Sequence, residues 1–341
     1  MENPDRRKFI KAGGASLAGL TLSGMNLSFP GQSHSTTKEL CGTLKSENAG
    51  YKRLKPVNLE GKALVIWYSQ TSNTARTGRC IAKSLEKTGL SVSSSDYRKL
   101  KPSDLSGYDL IIAGSPVYYY DVPSNFKTWL GGVSSLKGKR VAAFVTYGGE
   151  GGNQYNTACT LLDLLTSKGG IPMGLETFGN MSTFSITWST GNIKRIMKYS
   201  HLPDGRSYSR MRDFALAVAY NMKQHRTGDF KKKWDYREWI KGSPSIRGTK
   251  ALINQHTIDK TLCVECGLCV RSCPVSAIDL SAGTIDGKAC IACLGCVNNC
   301  PEQAVVMEFL FMGVKGFTAF KKENGIIITE PEEWFVGQNN S

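Results

Sequence analysis

The sequence lacks the features that mark several large protein classes. Only four of its 341 residues are histidine, and no G-x-G-x-x-G fingerprint follows a predicted strand, so direct use of a nicotinamide dinucleotide is not supported. The sequence does not contain the series of long apolar runs that a multi-span membrane protein requires. Apolar residues make up 40% and charged residues 21% of the chain, values that are ordinary for globular proteins. The chain is long enough for two such domains.

Acidic residues are scarce relative to basic ones. The chain has 43 Lys and Arg against 28 Asp and Glu, a formal charge of +15, which is the sign that nucleic acid or an anionic membrane surface attracts. No aromatic-interleaved nucleic-acid motif accompanies the charge, so no nucleic-acid partner is predicted. The basic residues are densest between 223 and 250, and the segment 227–250 is interpreted as a basic linker. It is either a solvated connection or a docking site for an acidic partner.

The N-terminus has the composition of a targeting segment. Residues 5–11 read Asp-Arg-Arg-Lys-Phe-Ile-Lys and precede a weakly apolar stretch rich in Gly, Ala and Ser. This resembles a twin-arginine export signal, which implies delivery of an already folded protein to the periplasm or cell envelope. A basic tail that stays in the cytoplasm is the alternative. Residues 1–40 would hold the signal and its linker, with cleavage, retention and lipid attachment at Cys41 all left open.

Eight of the eleven cysteines form a duplicated pattern. The spacing C-x2-C-x2-C-x3-C-P occurs at Cys263 to Pro274 and recurs 27 residues later at Cys290 to Pro301. Both copies also carry an Ile-Asp pair upstream, so one unit has been duplicated. Four disulfides or two zinc ribbons would also use paired cysteines, yet neither requires four cysteines at this spacing followed each time by proline.

The two copies resemble the bacterial-type two-cluster ferredoxins at every ligand position. The resemblance implies a small α+β domain over residues 251–307 that binds two 4Fe-4S clusters, with the fourth cysteine of each copy crossing to the other cluster. The first ligand set would be Cys263, Cys266, Cys269 and Cys300. The second would be Cys290, Cys293, Cys296 and Cys273.

Residues 60–226 have an alternating strand and helix pattern. Apolar runs that begin at residues 63, 110, 140 and 171 predict buried parallel strands, and helical patterns lie between them. A loop rich in Ser, Thr and Asn follows the first strand at the start of a helix, where backbone N–H groups and the helix dipole favour an anion. The same residue types also cap ordinary helices. Ligands of open α/β sheets bind outside the carboxyl ends of the strands, where this loop and the next two would meet.

These loops resemble the FMN site of flavodoxins, in which an S/T-x-T-G-N-T run holds the phosphate and two later loops hold the flavin ring. The resemblance implies phosphate contacts from Ser69, Thr71, Ser72, Asn73 and Thr74, with Ser72 replacing the glycine of the pattern. Ring contacts would come from Ser115, Pro116, Val117, Tyr118, Thr146, Tyr147, Gly148 and Gly149. Tyr118 and Tyr147 are the favoured stacking aromatics, and an insertion at 181–208 is expected to cover the flavin or to present a substrate.

The two halves together resemble the flavodoxin-ferredoxin fusion proteins of anaerobic bacteria and archaea. We therefore expect an α/β flavodoxin-like doubly wound parallel sheet, then the α+β two-cluster ferredoxin-like domain. A C-terminal tail at 308–341 is expected to pack over the cluster domain, with peripheral membrane contact as its second interpretation.

The implied protein is an electron-transfer iron-sulfur flavoprotein that passes electrons between two 4Fe-4S clusters and FMN and exchanges them with a redox partner protein. An FMN-dependent reductase of a small acceptor such as a quinone is one alternative. A cluster-only redox-sensing or docking module is the other.

Overall fold

The first unit of the protein is built on a parallel β-sheet. The computed structural model describes residues 57–149 and 152–339, so the predicted twin-arginine signal (residues 1–40) and Cys41 lie outside the described residues. The strands are β1 (Lys62–Trp67), β2 (Ser91–Asp96), β3 (Leu110–Pro116), β4 (Arg140–Tyr147) and β5 (Ile171–Gly179), in the order β2-β1-β3-β4-β5. Each neighbouring pair is parallel. This order is the flavodoxin-like one, and it confirms the predicted fold class.

Helices cover both faces of this sheet. They are α1 (Asn73–Glu86), α2 (Ser124–Gly131), α3 (Gln154–Thr166), two short helices of the insertion, α4 (Ile186–Ser189) and α5 (Ile193–Met197), and α6 (Gly205–Lys223). Successive residues of β1 point to opposite faces, so Val65 joins the core under α1 and α6 whereas Ile66 joins the core under α2 and α3. This two-sided burial explains why the inner strands β1, β3 and β4 are continuous apolar runs without alternation.

The second unit is small and antiparallel. After the linker helices α7 (Arg237–Ile240) and α8 (Ser243–Ala251), its strands are β6 (Ile253–Ile258), β7 (Ile278–Asp279), β8 (Thr284–Ile285), β9 (Val305–Phe309) and β10 (Met312–Gly313). They form one sheet in the order β10-β9-β6-β8-β7. Each cysteine repeat contributes one short helix, α9 (Leu268–Ser272) in the first and α10 (Gly295–Asn299) in the second. The unit therefore has the expected α+β architecture.

The C-terminal segment differs from the expectation because it reaches both units. Its helix α11 (Phe317–Glu323) packs on the insertion, where the rings of Phe320 and Trp188 stack with centroids 4.5 Å apart. The last helix, α12 (Pro331–Asn339), returns to the first unit, and Glu330 just before it forms ion pairs with Arg76 and Arg79 of α1 at 2.7 and 2.6 Å. Within residues 57–149 and 152–339, no helix combines the length and apolar character needed to cross a membrane.

Helix α1 packs so closely on the sheet that one of its glycines has no room for a side chain. A Cβ at Gly78 would lie 2.3 Å from the ring of Trp67. Alanine normally stabilises a helix by up to about 1 kcal/mol relative to glycine, but overpacking a core costs about 1–3 kcal/mol. We expect Gly78→Ala to lower the free energy of unfolding, measured by urea denaturation. Gly131→Ala is the control, since a Cβ at that position would have no atom within 4 Å. Equal stability of the two variants would contradict the close packing.

Candidate functional site

The eight repeated cysteines line two separate cavities. Cys263, Cys266, Cys269 and Cys300 line one of them, and Cys273, Cys290, Cys293 and Cys296 line the other. We call them the first and the second cysteine cavity. Each takes three cysteines from one repeat and the fourth from the other, so the structure brings together the two crossed sets that the ferredoxin resemblance implies. Among the described residues, no three metal-ligating side chains converge on the position of a single ion; the sulfurs surround a volume instead.

The sulfur atoms accept hydrogen bonds from the surrounding chain. The backbone N–H groups of Ala277, Ala292 and Ala304 donate to Cys273, Cys290 and Cys300 at 3.2, 3.4 and 3.2 Å. The imidazole Nε2 of His256 lies 3.3 Å from the sulfur of Cys296. Such hydrogen bonds to cluster ligands adjust the reduction potential.

Burial makes the second cavity unfavourable for a bare negative charge. The pKa of Cys293 is raised to about 12, mainly by desolvation and to a smaller extent by the neighbouring Cys290 and Cys273. A thiolate at this position therefore needs positive charge at its sulfur, which iron would supply. Desolvation also lowers the pKa of His256 to about 4, so its imidazole is neutral in this environment near pH 7.

The two repeats place their cysteine loops in opposite environments. In the first repeat, Cys266 is exposed and the apolar neighbours Val264 and Leu268 are 65% and 40% exposed. In the second repeat, Ala292 and Leu294 are 1% and 2% exposed. The cysteine loop of the first repeat therefore faces solvent, and the loop of the second repeat is covered by other parts of the protein.

The loop of the second repeat is buried because it contacts the carboxyl ends of the parallel strands. The hydroxyl of Tyr119 donates to the carbonyl oxygen of Ala292 at 2.7 Å, and the side-chain amide of Asn299 donates to the carbonyl oxygen of Gln70 at 2.9 Å. A Cβ at Gly295 would lie 2.4 Å from the side-chain oxygen of Gln70. Only a glycine permits this approach.

We call the loops that follow β1, β3 and β4 the strand-end loops. In the first of them, Ser72 has a backbone conformation that glycine adopts more easily than serine. Ser72 adopts the left-handed conformation with φ 69°, so serine occupies the glycine position at a cost of roughly 1–2 kcal/mol. Ser69, Asn73 and Thr74 are buried, Thr71 is half-buried and Ser72 is exposed. The hydroxyls of Thr71 and Thr74 lie 3.1 and 2.8 Å from those of Thr183 and Thr146. Thr74 and Thr146 therefore join the first loop to the third.

The second and third loops meet the first at the same edge of the sheet. The N–H of Val117 donates to the carbonyl oxygen of Thr146 at 2.9 Å, and a Cβ at Gly148 would lie 2.3 Å from Cα of Ser182 in the insertion. Ser115 and Pro116 are buried at the end of β3, Tyr118 and Tyr147 are half-buried, and Gly149 has φ +120°. The structure thus collects all thirteen predicted loop residues around the ends of β1, β3 and β4.

Two tyrosines at this edge, Tyr68 and Tyr118, are neutral. Desolvation raises the pKa of Tyr68 and Tyr118 well above the usual value, and for both the second largest cause is the nearby Cys293. The electrostatic influence of Cys293 on both rings indicates that the second cysteine cavity lies close to the strand ends.

The strand-end loops fit a phosphorylated ligand. Helix α1 begins without a side-chain cap and without an acidic residue in its first turn, so its first backbone N–H groups are available to an anion. Within the described part of the chain, the buried oxygens of Gln70 and Asn180 at this edge have no hydrogen-bond partner. An unsatisfied buried polar atom costs about 1–3 kcal/mol, and a polar ligand would reduce that cost.

Several residues of this junction were not predicted from the sequence. Tyr119 ranked below Tyr118 as a ring contact, and Arg98, which donates to the carbonyl oxygens of Ser69 and Ser272 at 3.2 and 3.1 Å, was not considered. One feature of the sequence did indicate the contact between the second repeat and the first unit. The first repeat has Arg271-Ser272 before its fourth cysteine, where the second has Asn298-Asn299. The side chains of Asn298 and Asn299 donate to the carbonyl oxygens of Thr183 and Gln70 in the first unit, each at 2.9 Å.

Comparison with known proteins gives one family-model match and several similar solved structures. A family model described as a 4Fe-4S dicluster domain matches residues 255–301. The chain is similar to a flavodoxin from the domain Archaea, with 18% identity, 48% of this chain and 99% of that chain covered, and a TM-score of 0.37. It is similar to oxidised flavodoxin 1 from Bacillus cereus, with 17% identity, 47% of this chain and 97% of that chain covered, and a TM-score of 0.38. It is also similar to rubredoxin oxygen:oxidoreductase from Desulfovibrio gigas, with 19% identity, 51% of this chain and 38% of that chain covered, and a TM-score of 0.38. No curated protein matches the sequence.

The crossed cysteine sets can be tested by substitution. We expect Cys300→Ala to disturb the same cluster as Cys266→Ala, because both residues line the first cavity. Each variant should lower the iron content from about eight to about four atoms per chain and remove the same signal from the EPR spectrum of the reduced protein. Cys159→Ala is the control, since Cys159 is buried in the core under α3 and the iron content should not change. If Cys300→Ala instead gave the spectrum of Cys290→Ala, the sets would not be crossed.

Proposed function

We propose that this protein passes electrons between two 4Fe-4S clusters in the cysteine cavities and FMN at the strand ends of the first unit. The observation that carries the proposal is the contact between the two units. The cysteine loop of the second repeat lies on the strand-end loops, joined to them through Tyr119 and Ala292 at 2.7 Å. Electron transfer requires its centres to be close, and this contact places the second cavity beside the loops that fit a phosphorylated ligand.

Each residue of the strand-end loops has a defined part in holding FMN. The backbone of residues 71–75 and the hydroxyls of the first loop would bind the phosphate, while residues 115–118 and 146–149 would hold the ring. A bound flavin accepts one or two electrons whereas each cluster carries one, so the pair converts between the two kinds of chemistry. The raised pKa of Tyr118 and Tyr68 keeps both phenols neutral. Neither side chain therefore carries a negative charge that would oppose the arrival of an electron at the FMN.

The different exposure of the two cavities suggests an order of transfer. The first cavity has an exposed cysteine, Cys266, and reaches the surface. The cysteine loop beside the second cavity is covered by the strand-end loops. Electrons from a partner protein would therefore enter at the first cavity and reach the strand ends by way of the second, or leave in the reverse order.

One observation favours a second candidate, an FMN-dependent reductase of a small acceptor such as a quinone. The insertion begins at the strand-end loops, where the side-chain amide of Asn73 donates to the carbonyl oxygen of Met181 at 2.9 Å. Three residues further on, Phe184 is 38% exposed and its ring meets that of Tyr119 edge to face at 6.3 Å. A partly open aromatic surface at this edge would suit a flat acceptor. Steady-state turnover with a quinone would separate this activity from simple electron carriage.

The deciding experiment is anaerobic purification followed by iron, sulfide and flavin analysis. About eight iron and eight sulfide atoms with one FMN per chain would support the proposal. Eight iron atoms without any flavin would reject the FMN assignment and leave the cluster-only sensing or docking module. A flavin with fewer than four iron atoms would reject the cluster assignment.

The contact at Gly295 can be tested separately from cofactor binding. Gly295→Ala introduces a Cβ 2.4 Å from the side-chain oxygen of Gln70, and Gln70 is buried, so the two units must move apart or repack. We expect slower reduction of the flavin by the clusters in stopped-flow absorbance measurements, with unchanged iron and flavin contents. Stability should fall by about 1–3 kcal/mol.

The matched control is Leu268→Ala. Leu268 occupies the position of Gly295 in the first repeat and is 40% exposed, so this change should leave the rate of flavin reduction unaltered. A wild-type rate in Gly295→Ala would mean that electrons do not pass through this contact.

A further inference from the structure

The linker between the two units carries two tryptophans that point into solvent. Trp234 and Trp239 are 88% and 84% exposed, and the neighbouring Tyr236 and Ile240 are 53% and 40% exposed. Tryptophan is normally well buried because its large apolar ring gains free energy by leaving water. The other four tryptophans of the chain follow this rule and are buried or partly buried. We call residues 231–241 the Trp234–Trp239 patch.

The patch is held in place by the first unit. The side chain of Asn156 in α3 accepts from the N–H of Lys233 at 2.8 Å and donates to its carbonyl oxygen at 2.7 Å. Asn153 donates to Glu238 at 2.6 Å, and Phe230 packs against the core under α2 and α3. Residues on both sides of each tryptophan are thus fixed, and the rings project outward from an ordered backbone.

Positive charge surrounds these rings. Nine Lys and Arg residues but only three Asp and Glu residues lie between 223 and 250. The three acidic side chains are already paired, Asp229 with Lys231 at 2.9 Å, Asp235 with Arg237 at 2.8 Å and Glu238 with Lys241 at 2.6 Å. Within residues 231–241, five Lys and Arg residues outnumber two Asp and Glu residues, so the patch carries an excess of positive charge.

Exposed tryptophan beside lysine is the combination that favours an anionic lipid surface. Indole prefers the headgroup level of a bilayer, because its apolar ring and its N–H donor suit the two sides of that boundary. Each Lys or Arg near anionic lipid adds about 1 kcal/mol.

We propose that the Trp234–Trp239 patch docks this protein on the surface of an anionic phospholipid bilayer. The two indole rings enter the headgroup region, and the positive charge of the patch attracts the lipid phosphates. The patch holds the docked protein at the interface. This inference is independent of the proposed electron-transfer function.

The test uses the full chain with its cofactors and two kinds of vesicle, phosphatidylcholine alone and phosphatidylcholine with phosphatidylglycerol. We expect cosedimentation only with the second kind and release at high salt, since screening weakens surface charge attraction. Trp234→Ala with Trp239→Ala should reduce binding at least tenfold. Each of Lys231→Gln and Lys232→Gln should reduce it about fivefold, the equivalent of about 1 kcal/mol.

The control removes exposed apolar residues elsewhere. Phe311 and Ile327 are 81% and 88% exposed, and Phe311→Ala with Ile327→Ala should bind like the wild type. Brominated phosphatidylglycerol gives a second reading, because it quenches only tryptophans that reach the lipid. Quenching should be present in the wild type and absent in Trp234→Phe with Trp239→Phe.

Three outcomes would overturn the proposal. Equal binding to neutral and anionic vesicles would remove the role of charge. Undiminished vesicle binding by the tryptophan variants, or absence of quenching in the wild type, would show that another part of the chain holds the lipid. Loss of a dimer in the tryptophan variants, without any effect on vesicle binding, would identify a second copy of the chain as the occupant of the patch.

Discussion

The structure depends on one close contact, the approach of the second cysteine loop to the end of β1. Gly295 lies against the buried side chain of Gln70, with no space for even a methyl group between them. Because the side chain of Asn299 also bonds to the carbonyl oxygen of Gln70, the contact fixes the position of the dicluster unit on the flavodoxin-like sheet. The distance between the second cavity and the strand ends follows from it.

Duplication of the cysteine unit explains how such a contact arises within a symmetric motif. The first repeat has Gly267-Leu268 and the second has Leu294-Gly295, and in both the first residue of the pair adopts a left-handed conformation. The loop conformation is therefore shared, and only the residue that follows differs. Leucine is tolerated where the loop faces solvent, and glycine is required where it faces Gln70. The two copies have diverged according to what each contacts.

The sequence predicted the parts of the protein that depend on local pattern. The cysteine spacing is a local property of each loop, and the buried strands are apolar because both of their faces are covered. Strand β2, Ser91–Asp96, was missed because it is polar and largely exposed at the sheet edge, so no hydrophobic signal marks it. The return of α12 to α1 was also missed, since it depends on Glu330 meeting arginines more than 250 positions away.

Backbone strain at the strand ends indicates why the two units must be present together. Tyr119 and Tyr120 have φ values of 50° and 65° at the tip of a two-residue turn, a conformation that usually needs Asn-Gly and costs roughly 1–2 kcal/mol per residue here. The carbonyl oxygen of Tyr120 accepts from Asn153 within the first unit, but the hydroxyl of Tyr119 bonds to Ala292 of the second. Part of the interaction that offsets the strain therefore comes from the dicluster unit. A loop shaped in this way reaches its observed conformation most readily when the second cysteine loop is folded against it, so order in the cysteine cavity and order at the strand ends are coupled.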